Sequence, residues 1–204
     1  MRFQLRDQAT FNPIMKTPKP SAHADAQSPH AAEKAAHKLF GVENFWLAHN
    51  FDAVFHTAIP PGMAAYLASL PFFFIATANQ HGACDCSFRG RDHDSAGQPD
   101  ALLQVIDTKT IIFPDYSGNN YFNSLGNILV NGQIGMLFVD FESRHRVRIN
   151  GRASIIEDRQ AYLKQWPLAQ RYIQVTIEQV FGNCRARIPR MKLVPPTDST
   201  FQDE

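Results

Sequence analysis

Cysteine is scarce: Cys84, Cys86 and Cys184 are the three in 204 residues. So few, so unevenly placed, cannot build a disulfide framework, and no CxxC pair suggests a zinc site. An excess of one charge is also missing. Twenty Lys and Arg against 19 Asp and Glu leave a formal net charge of +1. That gives no strong field for nucleic acid or an acidic membrane surface, and the basic residues are spread along the chain. No apolar run approaches the roughly 20 residues of a membrane helix. The N-terminus lacks an apolar core followed by small residues at a cleavage site, so no secretory signal is expected. These absences lead to the expectation of a soluble chain in a reducing, cytoplasmic setting, with no nucleic-acid and no membrane partner.

Phenylalanine is abundant, 16 in all, and concentrates between Phe40 and Phe74, where seven of them lie. Apolar helices packed on a sheet account for that enrichment without special chemistry. The length suits one domain of about 150 residues plus a tail. Residues 1–28 mix Pro, Ala, Ser and Gln without periodicity and read as a poorly ordered arm. Residues 29–70 read as a helical extension of three segments. The first spans His30 to Phe40 and stops at Gly41; the second, Glu43 to Phe55, has apolar residues on both sides and is expected to be buried. A third short helix follows Pro60-Pro61, carries Met63, Tyr66, Leu67 and Leu70 as one stripe, and closes at Pro71.

From Phe72 the period changes to two. Phe72 to Ala78, a four-residue turn and Ala83 to Phe88 read as a hairpin. Arg89 to Asp100 is a long polar loop. Ala101–Ile106 and Thr110–Phe113 form a second hairpin around Asp107-Thr-Lys109, and Gln133–Phe141 with Arg146–Glu157 a third. Val147, Ile149 and Gly151 alternate with Arg146, Arg148 and Asn150, the mark of a strand with one wet face. Asp158 to Trp166 reads as a short helix and Tyr172 to Phe181 as a last strand. Six or seven antiparallel strands with a helix inserted midway predict a mainly β (α+β) fold, a small closed or nearly closed barrel. The barrel occupies 71–190 and a tail 191–204.

The passage from Phe113-Pro-Asp-Tyr-Ser-Gly-Asn-Asn120 into Tyr-Phe-Asn-Ser-Leu-Gly-Asn127 runs from strand to polar loop to helix. Asn119 or Asn120 stands where a cap belongs, and free N–H groups of a first helical turn suit an anion, above all phosphate. Many capped helices bind nothing, so geometry alone leaves both readings open. Tyr116, Ser117, Asn119 and Asn120 supply donors in that loop. Ser87 and Arg89 share one face of the second strand, and Arg89 offers a forked donor set to phosphate, against the plainer reading of a surface arginine. Arg146 and Arg148 are either solvated charge or ligand contacts. Cys84 and Cys86 lie on one side of a strand; with Asp92-His-Asp94 as the sole source of further ligands, packing as small apolar groups in a barrel is preferred to metal binding. No Ser–His–Asp grouping and no carboxylate pair marks a catalytic centre.

Phe74-Ile-Ala-Thr-Ala78, Gly82-Ala-Cys-Asp-Cys-Ser-Phe-Arg-Gly90, Phe113 to Asn120, Ser124-Leu-Gly-Asn127, Gly135-Met-Leu-Phe-Val-Asp-Phe141 and Arg148-Ile-Asn-Gly-Arg-Ala153 follow in order. Together they resemble the pyridoxamine 5′-phosphate oxidase-related family over roughly 70–190. The resemblance implies a six-stranded antiparallel split β-barrel with flanking helices, a homodimer, and FMN in clefts at the subunit interface. It places the strand lining the flavin on Ser87, Phe88, Arg89 and Gly90. The strand end beside the isoalloxazine edge falls on Pro114, Asp115 and Tyr116, and the phosphate-facing helix start on Asn119, Asn120 and Tyr121. Arg146 becomes the flavin-side cation of a later strand, and Asn183, Cys184 and Arg187 the C-terminal segment that reaches the ring. One departure matters: the Arg-Lys pair of authentic family oxidases is Asn120-Tyr121 here. The basic and aromatic set for pyridoxal phosphate is missing as well. The expectation is an FMN-dependent oxidoreductase of unknown substrate with no assignable catalytic residue. The alternative is a non-catalytic flavin, deazaflavin or haem-related binding protein.

Overall fold

Alternation of large apolar and smaller residues makes Phe72–Ala78 (β1) a strand, and Asn79 makes the turn that reverses it. The Asn79 Oδ1 accepts from the backbone N–H of His81 and of Ala83, the side-chain-to-backbone bonding expected of Asn in turns. Cys84–Gly90 (β2) then returns along β1 from Ala78↔Cys84 to Phe72↔Gly90. A computed structural model describes residues 29–48, 53–93 and 97–194 of the chain. The arm expected at 1–28 and most of the tail expected at 191–204 lie outside these described residues.

Five further strands follow: Gln104–Asp107 (β3), Thr110–Asp115 (β4), Gln133–Asp140 (β5), His145–Ile156 (β6) and Arg171–Gly182 (β7). All seven lie in one antiparallel sheet in the order β2-β1-β5-β6-β7-β4-β3. The three expected hairpins are present. The resemblance implied six strands and the sheet has seven, because the short β3 pairs with β4 and extends the edge.

This sheet coils on itself. A continuous row of paired residues runs Phe88–Phe74–Leu137–Arg148–Phe181 from β2 to β7. Asp115 of β4, however, pairs with Arg171, ten positions before Phe181 on β7. Yet Arg89, next to Phe88, sits 2.8 Å from Asp115. A flat sheet would hold these side chains far apart; a staggered, coiled one brings them together, as strand shear does in barrels. The interior agrees. Phe73 of β1 stacks at 5.0 Å on Phe138 of the neighbouring β5 and meets Phe113 of β4 edge-on at 5.2 Å, the second contact crossing the barrel rather than following the sheet. Ile75, Met136, Ile149, Val175 and Ile177 complete that core. At about 25 cal/mol per Å² of apolar surface removed from water, burial of such side chains is the main term holding the barrel closed.

The described residues contain four helices. Ala31–Leu39 (α1) begins at His30, whose Nδ1 accepts from the N–H of Ala32 and Glu33 while the His30 N–H donates to Glu33, a reciprocal capping box. Gly41, at φ +68°, ends this turn in the left-handed region that favours glycine. Glu43–Ala48 (α2) is six residues long. The burial expected for Glu43 to Phe55 is not found at the described side chains of Phe45, 52% exposed, and Val54, 41% exposed; residues 49–52 lie outside the described residues. Among the described contacts, this helix packs with α1. The chain docks on β7 where Phe55 meets Phe181 at 4.9 Å and His56 bridges Val180.

Met63–Ser69 (α3) is tied down from its C-terminal end. There Arg91 donates to the carbonyls of Ala68 and Leu70, a cation at the negative pole of a helix. The segment Asp158 to Trp166 forms successive turns instead of the expected helix. Trp166, fully buried, is held by its indole N–H to the Ala101 carbonyl at 2.5 Å and packs with Ile112, Ala169 and Tyr172, and Pro167 follows it directly. This second cluster covers the outer face of β4, so β4 is buried on both sides.

Cys84 and Cys86 are exposed on the outer face of β2 rather than packed inside the barrel. Their period is right but their face is reversed: Asp85, Ser87 and Arg89 point the other way. Beside the thiols on the outer face, Phe88 meets Phe72 at 5.2 Å and Phe74 at 5.8 Å, and Phe72 reaches Phe141 at 6.2 Å.

Candidate functional site

Where β2, β4 and β7 converge, the loop after β4 and the helix Asn123–Val130 (α4) frame a cleft of about 380 Å³, within the size range of small-molecule sites. Its floor is the inner face of β2: Asp85, Ser87 and Arg89. Asp115, Tyr116, Ser117, Asn119 and Asn120 line it together with Gln170 and Arg171, which neighbour Asp115 at the start of β7.

Asp115 organises this cleft. It is 6% exposed. One carboxylate oxygen accepts from Arg89 at 2.8 Å, the other lies 3.5 Å from an Arg171 nitrogen, and its backbone carbonyl accepts from the Gln170 N–H at 2.9 Å. A carboxylate this buried requires such pairing. Arg171 also sits 5.3 Å above the Phe122 ring, a cation–π contact. The Arg89 Nε is buried and has no hydrogen-bond partner. Buried donors are seldom left this way, so its N–H is suited to an acceptor supplied by a ligand.

The loop into α4 differs from the sequence expectation. The helix starts one turn later than Asn119 or Asn120, with Phe122 at the cap position and no capping side chain. The Asn119 Oδ1 instead accepts from the Tyr121 N–H at 3.1 Å. Asn120 and Phe122 both adopt left-handed backbone, φ +61° and +56°; for a residue as bulky as Phe this is a strained conformation. It is held because α4 is bolted to the sheet. Ser124 Oγ donates to Asp85 at 2.8 Å, Asn127 to Thr77 at 3.0 Å and Asn131 to the Ala78 carbonyl at 2.9 Å.

Tyr116 donates its hydroxyl to Asp100 at 3.3 Å. Burial pushes its phenol well above the ordinary range, and the Asp100 charge adds to this. The fold therefore favours the neutral phenol. The stability that this lends is fully present below the ordinary phenol value near pH ~10 and is lost as pH rises through the raised folded value, because the unfolded chain releases the proton first. Wild type and Tyr116→Phe are expected to converge in unfolding free energy above about pH 10. A difference constant between pH 8 and 11 would contradict this account of Tyr116.

Of the residues singled out from sequence, Ser87, Arg89, Asp115, Tyr116, Ser117, Asn119 and Asn120 meet in this cleft. Phe88 is 58% exposed on the opposite face of β2. Gly90 ends that strand, and Pro114 pairs with Tyr172 beside the cleft. Arg146, Asn183 and Arg187 lie elsewhere: Asn183 donates its N–H to the Arg146 carbonyl, and Arg187 belongs to the segment that follows β7. Cys184 lies in that segment too, and Tyr121 is 76% exposed at the cleft rim.

That segment packs on the β5–β6 turn. Arg185 contacts the His145 ring, and Arg144, Arg185 and Arg190 line a second hollow of about 450 Å³. Basic residues that are dispersed in sequence are thus clustered in space. Asp85, Ser124 and Arg171 escaped the sequence reading. Asp85 had a usable signal, since it shares a strand face with Ser87 and Arg89; Arg171, 82 positions from Arg89 in sequence, had none.

Among the described residues no group of three His, Cys, Asp or Glu side chains is placed to hold a metal, and no helix is long and apolar enough to cross a membrane. Asp94, counted above as a possible metal ligand, lies outside the described residues.

Sheet order, coiling and cleft define an antiparallel split barrel with a polar cleft at its seam. The chain belongs to the pyridoxamine 5′-phosphate oxidase family, whose model matches residues 59–192. Among solved structures it is similar to HupZ of Group A Streptococcus, at 18% identity over 61% of this chain and 94% of that one, with a TM-score of 0.45. A Clostridium acetobutylicum protein related to general stress protein 26, of the pyridoxinephosphate oxidase family, is 17% identical over 56% and 80%, TM-score 0.39. An FMN-binding protein of Syntrophomonas wolfei is 14% identical over 72% and 97%, TM-score 0.40. No curated protein matches the chain.

Proposed function

We propose that the chain is an FMN-binding oxidoreductase whose cofactor lies in the β2–β4–β7 cleft. The observation that carries this reading is the buried, unpartnered Arg89 Nε at the wall of a cleft lined with neutral donors, in a member of this family. The residues present fit the group. Arg89 and the amides and hydroxyls of Ser117, Asn119 and Asn120 would hold the phosphate, and Ser87 would face the ribityl chain. When bound, FMN supplies transfer of hydride or electrons between a donor and an acceptor. The chain's own part is to orient the cofactor, to keep Tyr116 neutral beside it and to exclude water along the barrel wall. Lacking Arg-Lys at Asn120-Tyr121, it is not read as a pyridoxamine 5′-phosphate oxidase in activity.

The active form in this reading is a homodimer. A second copy covers the aromatic outer face at Phe72, Phe74 and Phe88 and brings Arg146, Asn183 and Arg187 to the partner's cofactor. A patch with Phe88 more than half exposed and the neighbouring edge of β2 unpaired is the kind of surface that a partner covers.

Purified protein is expected to bind FMN with a flavin absorption spectrum and to run at twice the chain's mass. Arg89→Ala should weaken FMN about 10- to 100-fold, the worth of one or two charge-assisted hydrogen bonds. Failure to take up FMN would sink the proposal; unchanged affinity in the variant would remove Arg89 from the cofactor site. FMN binding without NAD(P)H turnover would return the non-catalytic alternative.

A further inference from the structure

The cleft has two unlike ends. At one, Arg89 and Arg171 flank Asp115, two cations against one buried carboxylate. At the other, Asp85 accepts from Ser124 in the first turn of α4. Asp85 and Arg89 are four residues apart on one strand, roughly 13 Å, and both face the cleft. The positive pole of α4 therefore looks onto the chain's own carboxylate, which repels any further anion there. At the Arg89 end the situation reverses. Each guanidinium spends one nitrogen on Asp115 and keeps the rest of its donor fork; the Arg89 Nε has no partner at all, and the Phe122 ring holds Arg171 on its other side.

We infer that the phosphate subsite is the Arg89–Arg171 pair rather than the start of α4. Arg171 is its second cation, Asp115 is the positioning residue that aims both guanidiniums, and Asp85 is a specificity residue that takes a hydroxyl or imide N–H at the far end. The cleft thus selects a phosphate monoester carrying hydrogen-bond donors about 13 Å from its phosphate, and fixes which way round it enters. This rests on the flavin reading above for the identity of the ligand, but not for the anion subsite itself.

Calorimetric titration of the full chain with FMN, riboflavin and inorganic pyrophosphate tests it, with wild type, Arg171→Gln, Arg171→Lys and Asp85→Asn compared and folding checked by thermal melting. Arg171→Gln should cut FMN affinity at least about tenfold while riboflavin, which lacks the phosphate, is held as before; Arg171→Lys should recover part of the loss. Asp85→Asn should strengthen pyrophosphate binding and weaken riboflavin. An FMN-to-riboflavin ratio unchanged in Arg171→Gln would overturn the inference, as would pyrophosphate binding insensitive to Arg171. If wild type binds neither flavin yet binds pyrophosphate through Arg171, the flavin reading fails and the anion subsite stands. If it binds none of the three, both fall.

Discussion

Alanine at position 151 is expected to cost about 3 kcal/mol or more, the upper range for overpacked sites. Gly151 lies in the middle of β6, pairs with Ile134 on one side and Ile177 on the other, and sits where the β6–β7 register shifts past Asn150. A Cβ there would stand 2.2 Å from the Thr176 carbonyl oxygen, 3.1 Å from its carbon and 3.2 Å from the Ile177 Cα. All three are backbone atoms of β7, so no side chain can swing aside. β7 would have to move away from β6, and β7 also carries Arg171 and the seam of the barrel. A fall in melting temperature of roughly 6–12 °C is expected for a chain of this size, or loss of soluble protein. Gly135→Ala is the internal comparison: its Cβ would meet only the Asn150 side chain at 3.5 Å and the Ala76 Cβ at 4.0 Å, ordinary contacts. Equal melting temperatures for the two variants would show that β7 yields freely at Thr176.

Removing the Asp115 carboxylate is the second large effect. Asp115→Ala leaves Arg89 and Arg171 facing each other with no counter-charge, Arg89 with an Nε already unpartnered. Loss of one partner from a buried ion pair costs about 3–5 kcal/mol, because a desolvated charge is stranded. The 3.5 Å contact to Arg171 contributes the smaller share. Asp115→Asn should cost less, since an amide oxygen can still accept from Arg89. Because the penalty lies in stranded charge, replacing Arg89 by Met and Asp115 by Leu together should recover much of the lost stability while abolishing anion binding. Pyrophosphate should raise the melting temperature of Asp115→Ala more than that of wild type, since an added anion stands in for the missing carboxylate. Chemical denaturation of the four proteins measures the first effect and thermal melting with and without pyrophosphate the second; an Asp115→Ala variant as stable as wild type would show that the seam is held by packing alone.

The hairpins were legible because each is written within one contiguous stretch, from 12 residues (Gln104–Asp115) to 24 (Gln133–Ile156). Phe72–Ala78 and Arg146–Ala153 carry a two-residue period, and Asn79 and Asp107 supply the turn chemistry that joins neighbours. The strand–loop–helix passage after Phe113 was legible for the same reason, although its helix begins at Asn123 and its cap position falls to Phe122. Period does not say which face turns inward. Cys84 and Cys86 were assigned the interior, yet they point out, because it is Asp85, Ser87 and Arg89 that the cleft and Ser124 require. The Asp158–Trp166 stretch had helical spacing, but Trp166 is pulled sideways to the Ala101 carbonyl, a partner 65 positions away in sequence. Arg144, Arg185 and Arg190 looked dispersed for the same reason: only the docking of the C-terminal segment on the β5–β6 turn gathers them.

What the sequence by itself determined is local and additive: seven strand segments, their turns, the inserted helix, and the motifs that mark the family. Each depends on residues a few positions apart, where φ/ψ preference and side-chain period act directly. The site was decided only by tertiary structure. Arg89, Asp115 and Arg171 have no spacing in common, and they meet because the sheet closes with a stagger of ten residues between Phe181 and Arg171. That stagger is a property of the whole coiled sheet and of the Phe73–Phe113–Phe138 packing inside it, so no single segment encodes it.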